Sequence, residues 1–325
     1  SSEQPIKISG CTFVDCGEND AVIYSTASCL ILSQSQIRFN SPDASCCALN
    51  ITKKCNLTID RTQFTNCTSD KDGHAINYSP IGVDNDEFIV LANNIFTNNN
   101  IYLVLSTIPS ITGCQFLNNP QKSLHIKCNE DLDSNLTLNS CIFQGNQNGA
   151  GIIIEPKEGA DQLEVVCQTC TFSNNEAISN GGALSITNPI IFSHFVSCEF
   201  TGNSAQKGGS LYINTKRLSI HSCVFTSETS SEGNSIYIDQ NSQVSLTDSD
   251  FINCGTTGNV IVLNGGSISM EDSAIEFTDS AISNRGLEIL NYDEIELNAD
   301  TFTNCNAGTE KGGAIFYENP PSTSS

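Results

Sequence analysis

Basic residues, histidine and tryptophan are all scarce in this chain of 325 residues. It has 14 Lys and Arg against 36 Asp and Glu, which gives a formal net charge of -22, and it has four His and no Trp. A nucleic-acid-binding protein needs a positive face to release counterions, so we expect no nucleic-acid partner. The absence of Trp, which offers the broadest stacking face, argues against a sugar-stacking platform. Acidity of this size is typical of a surface that keeps a protein soluble.

Long apolar runs are missing as well. No stretch of about 18 apolar residues occurs, so we expect no membrane span in this chain. The first residues, Ser1 to Pro5, lack the basic and apolar segments of a signal peptide, and we expect the chain to be a mature form or an excised fragment. Residues 319–325, rich in Pro and Ser, are interpreted as a linker or tail.

What the chain has instead is an internal repeat built around one apolar, usually aromatic, marker residue. From residue 13 to residue 302 the marker occurs twelve times, at an average spacing of about 26 residues. A fixed period of this length indicates units that stack into one body, whatever domain count the length alone would suggest. The markers are Phe13, Ile37, Phe64, Phe96, Phe116, Phe143, Phe172, Phe200, Phe225, Phe251, Ile275 and Phe302.

Each unit contains short segments in which apolar and polar residues alternate, such as 184–186, 218–220 and the marker segment itself. This alternation, with β-branched residues and frequent Asn and Gly, opposes a helical pattern and predicts three short strands per unit. The predicted fold is all-β: a single-stranded right-handed parallel β-helix, or β-solenoid, of about 12 coils over residues 1–318. Coils spaced by about 4.8 Å would form a rod about 58 Å long. Leucine-rich repeats share the period but need a signature that is absent here.

Stacked coils should place like residues in stacks along the axis. Asparagine follows the marker by three residues in five successive units, which predicts an amide ladder that satisfies buried carbonyl groups. Cysteine precedes the marker by two residues in five successive units, which predicts an inward stack of thiols, with a disulfide between neighbours as the alternative. The two stacks are Asn99, Asn119, Asn146, Asn175 and Asn203, and Cys114, Cys141, Cys170, Cys198 and Cys223.

Other cysteines suggest disulfide bonds more strongly than this stack does. Four of them crowd two adjacent coils near the N-terminal end: Cys29, Cys46, Cys47 and Cys55. Zinc is not expected, because Cys167-x-x-Cys170 is a lone pair without a second pair or nearby histidines. We expect no metal and no cofactor.

The candidate catalytic residues are acidic. Asp248 and Asp272 occupy the same place in adjacent coils, and Asp250 lies beside them, so these carboxylates could share a proton or a calcium ion. Paired carboxylates on a β-helix face can cleave polysaccharides. The alternative is a solvated acidic face, and with 36 acidic residues in the chain we expect that and no enzyme. His194 and His221 lie in neighbouring coils, but no nucleophile motif accompanies them.

Two kinds of outward position are candidates for modification or binding. Asn50 and Asn77 are expected in the outward stack of the first strand, and the other glycosylation sequons, at Asn56, Asn66 and Asn135, in turns. The same outward stack contains the aromatic residues Tyr212, Tyr237 and Phe316, interrupted by Val262 and Glu288, which together could form a strip that binds a sugar or a protein.

Two tetrapeptides resemble the repeats of the chlamydial polymorphic outer membrane proteins and of similar families on protist surfaces. One is Gly-Gly-Ala-[Ile/Leu], at 181–184 and 312–315, and the other is Phe-x-x-Asn, at Phe96, Phe116, Phe143, Phe172 and Phe200. Some coils depart from the pattern, because Phe64 is followed by Cys67 and Phe225 by Glu228. The resemblance implies a secreted or surface-displayed β-helix used in adhesion.

Three functions therefore remain in view. The first is a non-enzymatic extracellular or cell-surface repeat protein, an adhesin-like ectodomain or spacer that contacts a protein or glycan ligand on another surface. The second is a structural subunit of an extracellular filament or surface layer, which associates end to end through uncapped coils. The third is a polysaccharide lyase or hydrolase that uses Asp248, Asp250 and Asp272.

Overall fold

A computed structural model describes most of the chain, namely residues 5–16, 21–40, 47–67, 75–79, 88–99, 101–105, 109–128, 135–157, 163–187, 189–239, 242–278, 283–308 and 312–318. Over these residues the structure contains 34 β-strands and no helix. No helix in the described part of the chain is therefore long and apolar enough to cross a membrane. The tail predicted at 319–325 lies outside the described residues.

The strands are short, and most have three to five residues. In the first half of the chain they are β1 (Ile6–Ser9), β2 (Thr12–Val14), β3 (Ala21–Ser25), β4 (Cys29–Ser33), β5 (Gln36–Arg38), β6 (Cys47–Ile51), β7 (Asn56–Asp60), β8 (Gln63–Thr65), β9 (Ile76–Tyr78), β10 (Ile89–Ala92), β11 (Ile95–Thr97), β12 (Ile101–Leu105), β13 (Pro109–Thr112), β14 (Gln115–Leu117), β15 (Leu124–Cys128), β16 (Asn135–Asn139), β17 (Ile142–Gln144) and β18 (Ile152–Glu155). In the second half they are β19 (Glu164–Gln168), β20 (Thr171–Ser173), β21 (Leu184–Ile186), β22 (Ile190–Val196), β23 (Glu199–Thr201), β24 (Leu211–Ile213), β25 (Thr215–His221), β26 (Val224–Thr226), β27 (Ile236–Ile238), β28 (Ser242–Thr247), β29 (Asp250–Ile252), β30 (Thr257–Glu271), β31 (Ala274–Glu276), β32 (Ser283–Asn298), β33 (Thr301–Thr303) and β34 (Ile315–Glu318).

The strands form three parallel ladders that run side by side along one axis. The marker ladder is a separate sheet of 12 strands, from β2 to β33. The first and second strands of each coil form the other two ladders, which merge into a 22-stranded sheet because β30 and β32 each continue through the corner between them. Strands pair with their counterparts in the neighbouring coils, 20 to 32 residues away and about 26 on average, so the predicted parallel solenoid and its repeat length are confirmed.

The marker residues stack on one another, as the spacing predicted. Phe143, for example, pairs in register with Phe116 on one side and Phe172 on the other. Ring centroids along the stack are 4.4 to 5.2 Å apart and the rings are nearly parallel, which is the offset arrangement that aromatic pairs favour. The stacked, fully buried rings are Phe64, Phe96, Phe116, Phe143, Phe172, Phe200, Phe225 and Phe251.

The predicted asparagine ladder is also confirmed. Nδ2 of Asn146 donates to the carbonyl oxygen of Phe116 (3.3 Å) and to Oδ1 of Asn175 (2.6 Å). Nδ2 of Asn175 repeats the pattern on the carbonyl of Phe143 (3.0 Å) and on Oδ1 of Asn203 (2.8 Å). All five amides of the ladder are fully buried. Four of the five satisfy a buried carbonyl group that would otherwise cost the desolvation of an unpaired acceptor, whereas Nδ2 of Asn119 donates to Ser123 and Asn146 instead.

The ladder ends on a carboxyl group. The backbone nitrogen of Asn203 donates to Glu228 Oε2 (3.0 Å) and its Nδ2 donates to Oε1 (3.3 Å), while the hydroxyl of Ser210 donates to Oε2 (2.6 Å). Glu228 has no exposed surface. Its burial raises the pKa to about 8, although the hydrogen bonds from Ser210 and Asn203 oppose that rise.

The five cysteines of the stack are buried, so their predicted inward placement is confirmed, and the alternative of a disulfide between neighbours stays a prediction. Each sulfur hydrogen-bonds backbone carbonyl oxygens. Sγ of Cys141 donates to Ile111 (3.6 Å), in the preceding coil, and to Asn139 (3.4 Å), in its own turn. Burial raises the pKa of the Cys114 thiol to about 11. In other coils Ser249 and Ser273 occupy the equivalent place and donate to the carbonyl two residues earlier. In these coils the position therefore holds a small side chain that donates a hydrogen bond to a nearby carbonyl group.

A left-handed residue sets the corner before each marker strand. The residue three positions before the marker has a positive φ in all twelve coils. Asn, Asp and Gly tolerate this region, whereas a β-branched residue such as Thr169 is strained there. The residues are Gly10, Gln34, Arg61, Asn93, Gly113, Ser140, Thr169, Ser197, Ser222, Asp248, Asp272 and Ala299.

Candidate functional site

The acidic candidates are turn residues of the solenoid. Asp248 and Asp272 do occupy equivalent places in adjacent coils, each with a φ of 50° at the corner before the marker strand. Asp250 lies on the outward side of β29, between Val224 and Ala274 of the neighbouring strands. Because Asp tolerates a left-handed corner, the turn accounts for two of the three carboxylates.

The surroundings of these carboxylates are open. The side chain of Asp248 is about half exposed (52%), and its Oδ2 lies 3.6 Å from Nδ1 of His221. In the part of the chain that the structure describes, no group of three or more His, Cys, Asp or Glu side chains is arranged to hold a metal ion. His194 lies in the coil before His221, as predicted. Partial burial, with a smaller contribution from the charge of His221, lowers the pKa of His194.

The tyrosines of the expected aromatic strip are not exposed. Tyr212 and Tyr237 face outward and stack with ring centroids 5.8 Å apart, but they are only 8% and 6% exposed. Nζ of Lys207 lies 4.4 Å above the ring of Tyr237 and 3.2 Å from its hydroxyl, and the hydroxyl of Tyr212 donates to Asp239. The outward placement of both tyrosines is as predicted, but the protein's own side chains cover their rings, and a role in binding stays a prediction.

Phe316 extends the same outward stack. It pairs with Glu288 in register, as the sequence predicted, and it is half-buried. The guanidinium of Arg285 lies 4.6 Å from its ring centroid and also contacts Glu288 Oε1 at 3.4 Å. One face of Phe316 is thus covered by a cation, and its role in binding stays a prediction.

The sequons differ in how accessible their amides are. Asn50 and Asn77 are neighbours on the outward face of the first strand, as predicted, and Nδ2 of Asn77 donates to Oδ1 of Asn50 (3.2 Å). Asn56 and Asn135 begin strands β7 and β16, so their predicted placement in turns is wrong. Asn66 does lie in a turn, but its Nδ2 donates to a backbone carbonyl (3.0 Å). Asn135 is the most exposed of the five. Glycosylation itself stays a prediction.

The four cysteines proposed for disulfide bonds are only partly described. Cys29 begins β4 and is half-buried, Cys47 begins β6 and is buried, and Cys55 is buried directly before β7. Cys46 lies outside the described residues. A disulfide within this group therefore stays a prediction.

A groove of about 620 Å³ crosses four coils at the corner between the first and second strands, and the sequence reasoning missed it. Arg217, Gln243, Ser267 and Glu294 pair in succession and form its floor. Lys216 widens the cationic end. The signal that could have identified this groove is the dipeptide Lys216-Arg217, one of only two basic dipeptides in a chain with 14 basic residues.

The acidic end of the groove is shaped by a β-bulge. The register between β30 and β32 shifts between Gly266 and Ser267, so that Asp293 becomes an extra residue and lies next to Glu294 at the rim. Gly266 has a φ of 100°, and a Cβ there would lie 2.1 Å from the carbonyl oxygen of Ser242. Only glycine fits this close approach of two coils.

Comparison with known proteins is consistent with this architecture. No curated protein and no solved structure matches the chain. Residues 1–165, half of the chain, match the family described as the right-handed β-helix region. The chain therefore belongs to the right-handed β-helix family.

Proposed function

We propose that this protein is a non-enzymatic extracellular or cell-surface repeat protein, an adhesin-like ectodomain or spacer that contacts a protein or glycan on another surface. Right-handed β-helices include surface proteins and polysaccharide-degrading enzymes, so family membership is compatible with either class. The observation that carries the proposal is the continuity of the inward stacks. Side chains at equivalent positions serve the same packing role from coil to coil, which suits a stiff body that holds an outward surface at a distance.

The acidic residues support the same choice. Catalysis by paired carboxylates needs two of them held at a fixed separation around a bond to be broken. Asp248 and Asp272 are instead corner residues of successive coils, and the side chain of Asp248 is half exposed. Equivalent corners elsewhere are occupied by Ser222 and Ala299, which are not titratable. The position thus serves the turn, whichever side chain occupies it.

Two sequence features favour display outside the cell. The tetrapeptides at 181–184 and 312–315 and the Phe-x-x-Asn sets resemble surface-displayed repeat proteins, and five sequons occur in the chain. Asn135, the most exposed of them, begins β16 on the surface of the solenoid. A secretory route is therefore part of the proposal.

The experiment compares adhesion with turnover. Beads coated with the purified chain are incubated with panels of cells and matrix proteins and counted by flow cytometry, with beads carrying the urea-unfolded chain as the control. Binding that needs the folded chain is expected, together with no turnover on a broad polysaccharide panel. Depolymerisation that is lost in Asp248→Asn would overturn the proposal in favour of a lyase or hydrolase. Beads that bind nothing would leave no support for an adhesive role.

A further inference from the structure

We propose that the groove between Lys216-Arg217 and Asp293-Glu294 binds a short anionic oligosaccharide, with a carboxylate or sulfate group at the Lys216-Arg217 end. This inference goes beyond the display function and does not depend on it. It rests on the size of the groove, on its two cations that form no ion pair with a described residue, and on the polar side chains that line the rest of it.

The dimensions suit a ligand of a few sugar units. The volume of about 620 Å³ lies within the range of small-ligand sites, roughly 300 to 1,000 Å³. Arg217 and Glu294 are separated by three coil spacings, since Gln243 and Ser267 lie between them in register. At about 4.8 Å per coil, the floor is about 14 Å long. The groove is therefore elongated along the rod axis and fits a linear ligand that lies across the strands.

The two basic side chains at the cationic end are available to bind an anion. Lys216 and Arg217 are both exposed, and neither forms an ion pair with any residue in the described part of the chain. The guanidinium of Arg217 lies 5.4 Å from the ring centroid of Phe192 in the preceding coil. Contact with the ring restricts the guanidinium, which is the planar, two-pronged donor that suits carboxylate and sulfate groups. Two adjacent unpaired cations are notable in a chain with a formal net charge of -22.

The remaining lining suits hydroxyl groups. Gln243 offers an amide with both donors and an acceptor, Ser267 offers a hydroxyl, and the carboxylates of Asp293 and Glu294 accept hydrogen bonds from sugar hydroxyls. A bound peptide would instead need a pocket for an apolar or aromatic anchor, because such anchors supply most of the energy of protein interfaces. The floor between the charged ends carries only Ser, Gln and Gly side chains. The geometry therefore favours an oligosaccharide over a peptide.

The test is isothermal titration calorimetry of the full chain with three probes of matched length. The first probe carries a single uronate carboxylate at one end, the second carries a single sulfate ester there, and the third, a neutral N-acetylated chito-oligosaccharide, carries neither. We expect at least one anionic probe to bind, more weakly at higher salt, and the chito-oligosaccharide to bind at least about tenfold more weakly, since charge-assisted hydrogen bonds are lost. The two anionic arms distinguish carboxylate from sulfate recognition.

Matched variants locate the site. Lys216→Gln/Arg217→Gln should weaken the anionic probe at least about tenfold, whereas Lys53→Gln/Lys54→Gln, at the other basic dipeptide, makes the same change in net charge and should leave binding unchanged. Ser267→Tyr fills the middle of the groove without changing its charge and should also block binding. Equal losses in the two double variants would overturn the proposal, because the effect would then be one of overall charge. It would also fail if neither anionic probe bound or if an acidic peptide bound more tightly than both.

Discussion

Replacing Glu228 by glutamine should stabilise the protein at pH 8 and destabilise it near pH 4.5 by about the contribution of one hydrogen bond. Glu228 ends the asparagine ladder in a fully buried position, and burial raises its pKa from 4.5 to about 8. Glutamine is neutral at every pH and close to isosteric. Its amide oxygen can keep one of the two hydrogen bonds from Asn203, and its amide nitrogen can donate to the hydroxyl of Ser210, which is able to rotate. The other bond from Asn203 is lost at every pH, so it does not affect how the difference from the wild type changes with pH. The thiol of Cys254 in the next coil faces the same site, and its pKa, raised by burial to about 12, keeps it neutral.

The sign and size of the effect follow from proton linkage. Below about pH 4.5 the carboxyl is protonated in both the folded and the unfolded chain, so its full stability contribution is present. As the pH rises toward 8, the unfolded chain loses the proton while the folded chain keeps it, and the free energy of unfolding falls by about 1.4 kcal/mol per pH unit. Across the interval from 4.5 to about 8 the loss reaches up to about 5 kcal/mol. Above pH 8 both states are ionised and the difference stays constant.

Urea unfolding of the wild type and of Glu228→Gln at a series of pH values measures this difference directly. The variant's advantage should grow steadily between pH 5 and pH 8. The control is Glu199→Gln, which removes the same charge from an exposed side chain in the marker strand of the preceding coil. If the difference between Glu228→Gln and the wild type stayed flat over this range, the carboxyl would not retain its proton in the folded state and the reasoning would be refuted.

Three further changes test the solenoid. Asn146→Ala should lower the free energy of unfolding, measured in urea, by at least about 3 kcal/mol, because it leaves several buried partners of the ladder unpaired. The control, Asn298→Ala at an exposed position, should have little effect in the same assay. Thr169→Asn should stabilise the chain by about 1 kcal/mol in the same assay, since Asn tolerates the φ of 53° at this exposed corner better than a β-branched residue. After expression in a secretory eukaryotic host, peptide mass spectrometry should find glycan on Asn135 and little on Asn66, whose amide is already hydrogen-bonded. The reverse occupancy would contradict this reading of the surface.

The periodic part of the structure could be predicted because repetition makes each position visible many times. The spacing of the phenylalanines identified the stacking register, and that register placed the amides of Asn146 and Asn175 one above the other. The same register put Tyr212 beside Tyr237. The repeat pattern in the sequence is enough to predict which residues are neighbours along the axis, because every unit has the same plan.

Burial by loops could not be predicted in this way. Lys207 covers Tyr237 from the segment that connects the marker strand to the next coil, and such segments vary in length from unit to unit. The groove depends on a β-bulge beside Gly266. This one-residue shift of register within a strand has no recognisable pattern in the sequence. Asp248 and Asp272 were candidates because two carboxylates coincided in register, whereas the backbone angle that explains them is visible only in the structure.

In a solenoid, departures from the repeat carry more information about function than the repeat does. A residue that recurs at one position serves the packing of every coil, as the asparagine ladder and the left-handed corners do. Glu228 interrupts the ladder with a titratable group, Lys216-Arg217 places two adjacent cations on an acidic rod, and the bulge at Asp293 adds a carboxylate to the same groove. Each departure has a cost, whether a buried carboxyl, local repulsion or lost pairing, that the stacked architecture does not require. The groove, where two of these departures meet across four coils, is therefore the place where a change of side chain should alter binding without altering the fold.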